Sequence, residues 1–376
     1  MTSLNPVLVE TNAHLIECAQ YWREADSLAV DTEFVRTDTF YPKLGLIQVC
    51  DGNGIWLVDP LAVNDFGPLT DVLAEPGIVK VFHSCSEDLE VLRYALDIVP
   101  APVFDTQVAA GFLGYGFSLG YARLVEAVLD IALDKHETRS DWLQRPLSDS
   151  QCHYAAEDVH YLMRVYRRLV DELREKQRLA WVEADMGRLV EEAASVPPAG
   201  DYYRRIKGAW KLPPEGLARL QAMARWREQE AREMNRPRNR IVPDRVLLEV
   251  ARRDPSSRQA LFAIDDFHPR AVKRYGDRLL ELCRAAAANA DVPPDTLPAP
   301  LDREARKHLA TCRDIVDGRA KALGLAPEVL ARKKELESLV RTALTGRPEL
   351  PPALADGWRH AIVGEELLKH VRETPL

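Results

Sequence analysis

The stretch SLAVDTEF, residues 27–34, joins an apolar strand pattern to two carboxylates, Asp31 and Glu33, that lie two positions apart. Side chains alternate between the two faces of a strand, so residues i and i+2 project to the same side. Two anions held this close repel each other, and a cation between them removes that repulsion. The stretch therefore predicts a strand that presents a pair of carboxylates to a cation.

Three more segments show apolar runs bounded by turn residues, which is typical of strands: KLGLIQVC (43–50), GIWLVDP (54–60) and IVKVFH (78–83). The intervening DGNG predicts a hairpin turn between the first two of them. Helical spacing of apolar residues then appears in segments 87–96, 118–129 and 149–185. We expect a mixed sheet covered by helices, which places this part of the chain in the α/β class, with α+β as the alternative.

The chain of 376 residues exceeds the usual size of one domain, about 100–200 residues. Proline-containing breaks at ASVPPAGD (194–201) and ANADVPPDTLPAP (288–300) interrupt helical patterns. Beyond the first break the sequence shows helical periodicity and no convincing strand. We therefore predict three domains, of which the last two are small and all-α: residues 1–200, 208–290 and 300–376.

The net charge of −8 hides an uneven distribution. Residues 1–200 hold 16 Lys and Arg against 32 Asp and Glu, whereas residues 201–290 hold 20 against 12. This asymmetry predicts a front domain that works with a metal and a middle module that attracts a polyanion. The densest basic stretch is RWREQEAREMNRPRNR (225–240), in which Trp226 is a candidate nucleic-acid contact. The alternative is that Trp226 lies in the core and the arginines form a solvated helix face.

Other features exclude several classes of protein. The six cysteines contain no C-x-x-C pair, which predicts buried hydrophobic residues and disfavours a zinc site or a disulfide framework. No apolar run approaches the roughly 20 residues that span a bilayer. The N-terminus also lacks a basic region followed by an apolar one, so we expect a cytoplasmic protein.

Two later segments offer further ligands for a cation beside Asp31 and Glu33. Asp88 falls in the first turn of a predicted helix that follows the strand 78–83, and Tyr154 and Asp158 are spaced i, i+4 on a later helix. Carboxylate oxygens suit Mg²⁺ or Mn²⁺, and a group of them together with a substrate phosphate suits two ions. Each motif alone also has an ordinary structural explanation, such as charge compensation at a helix N-terminus.

Taken in order, the motifs DTE (31–33), SEDLE (86–90) and YAAED (154–158) resemble those of the DEDD family of 3′–5′ exonucleases. The runs FDTQVAAGFLGYGFSLGYARLV (104–125) and DKHETRSDWLQRPLS (134–148) make the first domain most similar to the ribonuclease D family. The resemblance implies an RNase H-like exonuclease fold. It also implies that Asp31, Glu33, Asp88, Tyr154 and Asp158 form the catalytic site.

The two helical segments resemble the helicase-and-RNase-D C-terminal (HRDC) module, present twice. The first is the better match, through WREQEAREMNRPRNRIVPDRVLLEVAR (226–252), and the second is assigned mainly by position. PDRVLLEVARR (243–253) and PEVLARKKELE (327–337) resemble each other weakly, which suggests an internal duplication.

The third motif is ambiguous, because HYAAED fits both the Tyr-x-x-x-Asp and the His-x-x-x-x-Asp branches of the family. On a continuous helix, residue i+4 lies about 40° round from residue i, whereas i+5 lies about 140° round. This geometry favours Tyr154 over His153 as the partner of Asp158.

The resemblance implies a metal-dependent exoribonuclease that releases 5′-mononucleotides from RNA 3′ ends, including transfer RNA precursors, with two divalent cations, Mg²⁺ or Mn²⁺. By this resemblance Asp31 bridges both ions, Glu33 and Asp158 complete one site, and Asp88 holds the second ion through water. Tyr154 positions the attacking water.

The alternatives are a DNA exonuclease and an inactive nucleic-acid-binding scaffold. We expect a monomer whose partner is RNA. Candidate substrate-binding residues are His83, Gln107, Phe112, Lys135, Arg139, Trp142 and Trp226.

Overall fold

The computed structural model describes residues 4–133, 140–288 and 296–374. The chain divides into two compact units. The first comprises residues 1–35, 44–194 and 301–376, and the second comprises residues 36–43 and 195–300. The C-terminal segment, which the sequence predicts as a separate module, is thus grouped with the N-terminal domain.

The first unit contains a six-stranded mixed sheet, which confirms the predicted fold class. The strands are β1 (Val7–Val9), β2 (Ser27–Val35), β3 (Lys43–Cys50), β4 (Ile55–Val58), β5 (Val79–Phe82) and β6 (Val103–Asp105). Their order is β1-β4-β3-β2-β5-β6; β1 runs parallel to β4, β4 antiparallel to β3, and β5 parallel to β2 and β6. The sequence missed β1 and β6 because three residues are too few to establish a periodic pattern.

In the described part of this unit, seven helices accompany the sheet: α1 (Asn12–Trp22), α2 (Gly67–Ala74), α3 (Ser86–Leu96), α4 (Thr106–Leu113), α5 (Tyr121–Leu129), α6 (Asp149–Glu175) and α7 (Leu179–Ala194). A capping box between Ser148 and Gln151 satisfies the first N–H groups of α6. The predicted single helix 149–185 is interrupted after α6, where Gln177 adopts a left-handed conformation with φ 55°. Two long helices, α6 and α7, result.

The second unit is all-helical, as the sequence predicts for this part of the chain. Short 3₁₀ helices at Ala199–Arg205 and Ala209–Lys211 precede α8 (Pro214–Glu233), α9 (Arg238–Ile241), α10 (Asp244–Arg253), α11 (Arg258–Phe262) and α12 (Pro269–Ala288). Leu220, Leu247 and Leu279 are fully buried in its core. The segment 36–43, which follows β2, contributes Phe40 to the same core.

The C-terminal helices are α13 (Arg303–Leu323), α14 (Pro327–Leu330), α15 (Lys333–Leu344), α16 (Pro352–Ala355), α17 (Gly357–Arg359) and α18 (Glu365–Glu373). They share a hydrophobic core with α4 to α7. Trp358 stacks on Trp181 with ring centroids 4.7 Å apart, and a Cβ on Gly111 would lie 2.8 Å from Val329. This close packing explains the grouping of the segment with the first unit. None of the helices in the described ranges is long and apolar enough to cross a membrane.

Candidate active site

Strand β2 and helix α6 bring together the carboxylates that the sequence singled out. Asp31 and Glu33 project from β2, and Asp158 projects from α6. One carboxylate oxygen from each of the three lies within 4.8 Å of the others. The i, i+2 spacing on the strand and the third motif on the helix thus converge at one point.

Asp88 joins these three from the first turn of α3, where it is 7% exposed. The hydroxyl of Thr32, which lies between Asp31 and Glu33 in the chain, donates a hydrogen bond to Asp88 Oδ1 at 2.5 Å. Thr32 therefore ties the second motif to the first, a contact that the sequence analysis missed. We call Asp31, Glu33, Asp88 and Asp158 the carboxylate cluster.

All four carboxyl groups of the cluster have raised pKa values. Burial is the largest cause, and it raises the pKa of Asp88 to about 6, of Asp158 to about 7 and of Glu33 to about 8. The pKa of Asp31 lies well above its ordinary value, first through burial and then through the charges of the other three members. These shifts express the cost of crowding anions in a poorly solvated place.

Among the described residues, no basic side chain compensates the charge of the cluster. Across residues 4–133, 140–288 and 296–374, no lysine or arginine forms an ion pair with a member of the cluster. Oxygen ligands about 2.0–2.1 Å from an octahedral Mg²⁺ lie roughly 3 to 4 Å apart, which is compatible with three carboxylate oxygens that lie within 4.8 Å of one another. The donor set and its unbalanced charge therefore fit a hard divalent cation.

The structure separates the two candidates of the third motif. The Tyr154 side chain forms a hydrogen bond with the Asp158 carboxylate. His153 is exposed, and its Nε2 lies 3.8 Å from Glu157 Oε1 on the outer face of α6. Burial and the charges of Asp158, Glu33 and Asp31 raise the pKa of Tyr154 above its ordinary value, so its phenol is neutral.

Tyr121 is a residue beside the cluster that sequence reasoning did not single out. Its hydroxyl donates to the main-chain carbonyls of Asp158 and, at 3.3 Å, Glu157. Its ring packs against His83, whose Nδ1 lies 3.0 Å from the hydroxyl of Thr106. Tyr121 therefore fixes the backbone of α6 at the position of Asp158. Its place in a GYARLV run gave no local signal, because the contact forms only between distant segments.

The structure places the predicted substrate-binding residues in different environments. Gln107 donates through its side-chain amide to the Leu119 carbonyl at 3.1 Å, and His83 is half-buried. Phe112 is fully buried and packs on Trp358, so its ring has no face free to flank a nucleotide, and that expectation is corrected. Lys135 and Arg139 lie outside the described residues.

The two tryptophans proposed as substrate contacts are also buried. Trp142 is 4% exposed and Trp226 is 8% exposed. The ring of Trp226 packs edge-on against Tyr275, with centroids 5.6 Å apart, in the core of the second unit. Neither ring is available to stack on a base, so for Trp226 the structure favours the alternative of a core residue.

Comparisons with known proteins agree with this geometry. A family model described as 3′–5′ exonuclease matches residues 6–174, and a model of the HRDC domain matches residues 216–283. Ribonuclease D of Pseudomonas paraeruginosa is 46% identical over 362 residues, which cover 96% of either chain. Ribonuclease D of Escherichia coli K12 is 35% identical over 381 residues, which cover 99% of this chain and 100% of that one.

A solved structure matches along nearly the whole chain. It is the crystal structure of Escherichia coli RNase D, described as an exoribonuclease involved in structured RNA processing. The TM-score is 0.90 at 34% sequence identity, with 99% of this chain and 100% of that chain covered. Both units described above therefore have counterparts in that protein.

Proposed function

Because the chain belongs to the ribonuclease D family and is a 3′–5′ exoribonuclease, we propose that its carboxylate cluster holds two divalent cations, Mg²⁺ or Mn²⁺, during hydrolysis. The observation that carries this proposal is the approach of three carboxylate oxygens within 4.8 Å of one another, without a basic partner among the described residues. When bound, such cations would make a water molecule more acidic and would stabilise the charge that develops on the leaving oxygen.

The positions of the four carboxylates suggest which of them would hold each cation. The charges of the other three members all raise the pKa of Asp31, so Asp31 would be the member best placed to act as a ligand of both cations. Glu33 and Asp158 would help to hold one cation, and Asp88 would help to hold the other. The Thr32 hydroxyl holds Asp88 Oδ1 and so fixes the orientation of that carboxylate.

Tyr154 orients the attacking water. Its raised pKa keeps the phenol protonated at neutral pH, and the proton is donated to Asp158. The phenol oxygen retains lone pairs that accept a hydrogen bond from water. A neutral tyrosine therefore positions the nucleophile without acting as a base, and attack on the terminal phosphodiester releases a 5′-mononucleotide.

Part of the substrate affinity comes from a surface of the second unit outside the predicted basic stretch, in which Arg225, Arg236 and Arg240 are also exposed. Within residues 225–240, Arg232 and Arg238 pair with Glu228, and Arg227 pairs with Asp244 at 2.7 Å. Lys207, Trp210 and Lys211 are all exposed, with Lys211 Nζ 5.3 Å from the centre of the Trp210 ring. We call these three residues the basic stacking surface. An exposed indole beside cations suits single-stranded RNA.

The substrates we propose are structured RNAs with a single-stranded 3′ end, including transfer RNA precursors. The family relationship supports this, since the Escherichia coli relative is described as processing structured RNA. Mononucleotide release from the 3′ end needs a short unpaired segment to reach the cluster, whereas the body of the RNA offers phosphates to basic side chains.

The experiment that tests the function compares 5′-labelled RNA and DNA oligonucleotides of the same sequence with Mg²⁺, Mn²⁺ or EDTA. We expect metal-dependent shortening from the 3′ end, faster on RNA, and its loss in Asp31→Ala. Asp71→Asn is the matched control, because Asp71 is exposed and pairs only with Arg23 at the surface. Faster shortening of DNA would indicate a DNA exonuclease, and binding without cleavage would indicate a scaffold.

A further inference from the structure

The ring of Tyr154 rests against a tryptophan that belongs to a different segment of the chain. Trp142 lies with its ring centroid 6.2 Å from that of Tyr154, at an interplanar angle of 38°. Trp142 is 4% exposed and forms a small apolar cluster with Leu46, Leu57 and Ala155. We call residues 140–147 the tryptophan segment. Within it, Trp142 forms one wall of the space that the Tyr154 ring occupies.

An ion pair between the half-buried Arg145 and the buried Asp59 holds this segment in place. Arg145 contacts both carboxylate oxygens of Asp59, Nε to Oδ2 at 2.5 Å and Nη2 to Oδ1 at 2.7 Å. The same guanidinium donates to the carbonyls of Gly45 at 2.6 Å and of Trp142 at 2.9 Å. A two-pronged contact of this kind fixes direction as well as distance. Arg145 thus connects the Trp142 backbone to β3 and to the end of β4.

The ion pair stays charged inside the protein. Asp59 is 2% exposed, and burial alone would raise its pKa. The hydrogen bonds and charge of Arg145, together with the Leu61 N–H, outweigh burial and hold the pKa of Asp59 below its ordinary value. The anchor therefore persists at neutral pH.

Two further contacts leave the segment little freedom. A Cβ on Gly45 would lie 2.7 Å from the Trp142 carbonyl oxygen, so the segment lies directly on β3 and only glycine fits beneath it. On the other side, the Gln151 side chain of α6 donates to Ser140 Oγ at 2.9 Å. The tryptophan segment is therefore fixed both to the sheet that carries Asp31 and to the helix that carries Tyr154.

We propose that Trp142, locked by the Arg145–Asp59 pair, is a positioning residue that holds the Tyr154 hydroxyl against Asp158 and at the attacking water. The proposal rests on the function given above, in which Tyr154 orients that water. A tyrosine ring that is free to turn spends less time in the reactive arrangement, and a small misplacement can cost about 100-fold in rate. Trp142 is only 4% exposed, so its ring does not stack on RNA, and its substitution is expected to leave the KM for RNA nearly unchanged.

The test is a double-mutant cycle on the full-length protein, measured as single-nucleotide release from a 5′-labelled RNA with saturating Mn²⁺. Trp142→Leu is expected to lower kcat roughly 10- to 100-fold while the KM for RNA changes less than about threefold. In a Tyr154→Phe background the same substitution should lower kcat less than about twofold further, because the group that it positions is already gone. Trp142→Phe should recover most of the rate.

Arg145→Lys provides a second route to the same effect, since lysine keeps the charge but loses the two-pronged contact. It should lower kcat about tenfold with the Tyr154 hydroxyl present and leave kcat nearly unchanged without it. Trp56→Leu is the matched control; Trp56 is a half-buried tryptophan on β4 that packs on Trp22, and its effect should be the same in both backgrounds.

The outcomes separate the two proposals. Equal losses from Trp142→Leu in both backgrounds, or an unchanged kcat in the presence of Tyr154, would overturn the positioning role while leaving the exonuclease function standing. If Trp142→Leu does not fold, Trp142→Phe and Arg145→Lys decide the matter by the same comparison. A wild-type protein that fails to shorten RNA would instead overturn the function itself.

Discussion

The carboxylate cluster of the first unit and Glu228 of the second unit face opposite surroundings. The cluster accepts hydrogen bonds from Thr32 and Tyr154 but has no ion-pair partner among the described residues, and the pKa values of its members are raised. Glu228 in the second unit is 1% exposed, but Arg232 and Arg238 both pair with it. Burial alone would raise the pKa of Glu228, yet the two arginines hold it below its ordinary value.

The difference shows that the presence or absence of a basic partner indicates the role of a carboxylate that is removed from solvent. A carboxylate whose charge is neutralised by its own chain, as Glu228 is, stabilises the fold and has no need of a ligand. A group of carboxylates without a counter-charge destabilises the metal-free protein, and the missing charge must come from outside. Arg238 also packs on two aromatic rings of the second unit. Its guanidinium carbon lies 4.7 Å from the centre of the Phe40 ring and 4.5 Å from the centre of the Tyr202 ring.

The largest expected effect follows from removing one charge of the cluster. Asp31→Asn should lower the rate of nucleotide release on the order of 1,000-fold or more, because a shared ligand of the cations is lost. In EDTA at pH 8 the same variant should melt no lower than the wild type, since one repelling anion has gone. Rate measurements and thermal melts check both parts. A metal-free variant that melts several degrees lower would mean that Asp31 is a structural residue.

The opposite result is expected for the neutralised carboxylate. Glu228→Gln leaves two arginines beside a buried neutral group, and it should lower the free energy of unfolding of the second unit by about 3–5 kcal/mol. Glu249→Gln is the matched control: Glu249 is more exposed, with ion pairs to Arg252 and Arg253, so about 1 kcal/mol or less is expected. Urea unfolding of both variants measures the difference. Equal losses would contradict the contrast between a buried and an exposed pair.

Both the metal affinity of the cluster and the stability of the metal-free protein are expected to depend on pH. Carboxyl groups bind a cation only after losing their protons, and Asp88, Asp158 and Glu33 lose theirs with pKa values of about 6, about 7 and about 8. Metal affinity should therefore rise with pH, at least tenfold between pH 6 and pH 8. Without metal, stability should fall over the same range, because the folded protein holds protons that the unfolded chain, with carboxyl pKa values near 4, has released.

Thermal melts with and without Mn²⁺ at pH 6, 7 and 8 measure this dependence. The stabilisation by Mn²⁺ should be greatest at pH 8, about 2.7 kcal/mol when the ion is at 100 times its dissociation constant. Asp31→Asn serves as the control, in which the effect should nearly vanish. A stabilisation that does not change with pH would place the ion away from the cluster.

The smallest expected effect concerns the basic stacking surface of the second unit. Trp210→Ala should weaken binding of single-stranded RNA by about 1–3 kcal/mol, because a stacking face is lost. Arg232→Gln should leave RNA affinity nearly unchanged and lower stability instead, since that arginine serves Glu228. Fluorescence anisotropy in EDTA measures the affinities. Phe262→Ala is the control, because Phe262 is an exposed aromatic residue, 45% accessible, that is not among the three residues of the basic stacking surface.

Much of the fold was predictable from local patterns. Strand β3 matches its predicted bounds, Lys43–Cys50, because a long apolar run between turn residues has few alternative conformations. The break between α6 and α7 was not predicted, because the left-handed Gln177 is set by packing rather than by a breaker residue. The second HRDC-like module stays a prediction. What the sequence did not reveal is that its helices share a core with the N-terminal domain.

The sequence alone determined that Asp31 lies beside Glu33 and Tyr154 beside Asp158, because the i, i+2 spacing on β2 and the i, i+4 spacing on α6 are properties of local backbone geometry. That Asp88 belongs with them was implied by the family resemblance. Tertiary structure alone decided which side chains remain available to a ligand. Trp142, Trp226 and Phe112 looked like stacking residues but are buried, while Trp210 is exposed. The physical reason is that burial and charge pairing depend on segments far apart in the chain, and no spacing within one segment records them.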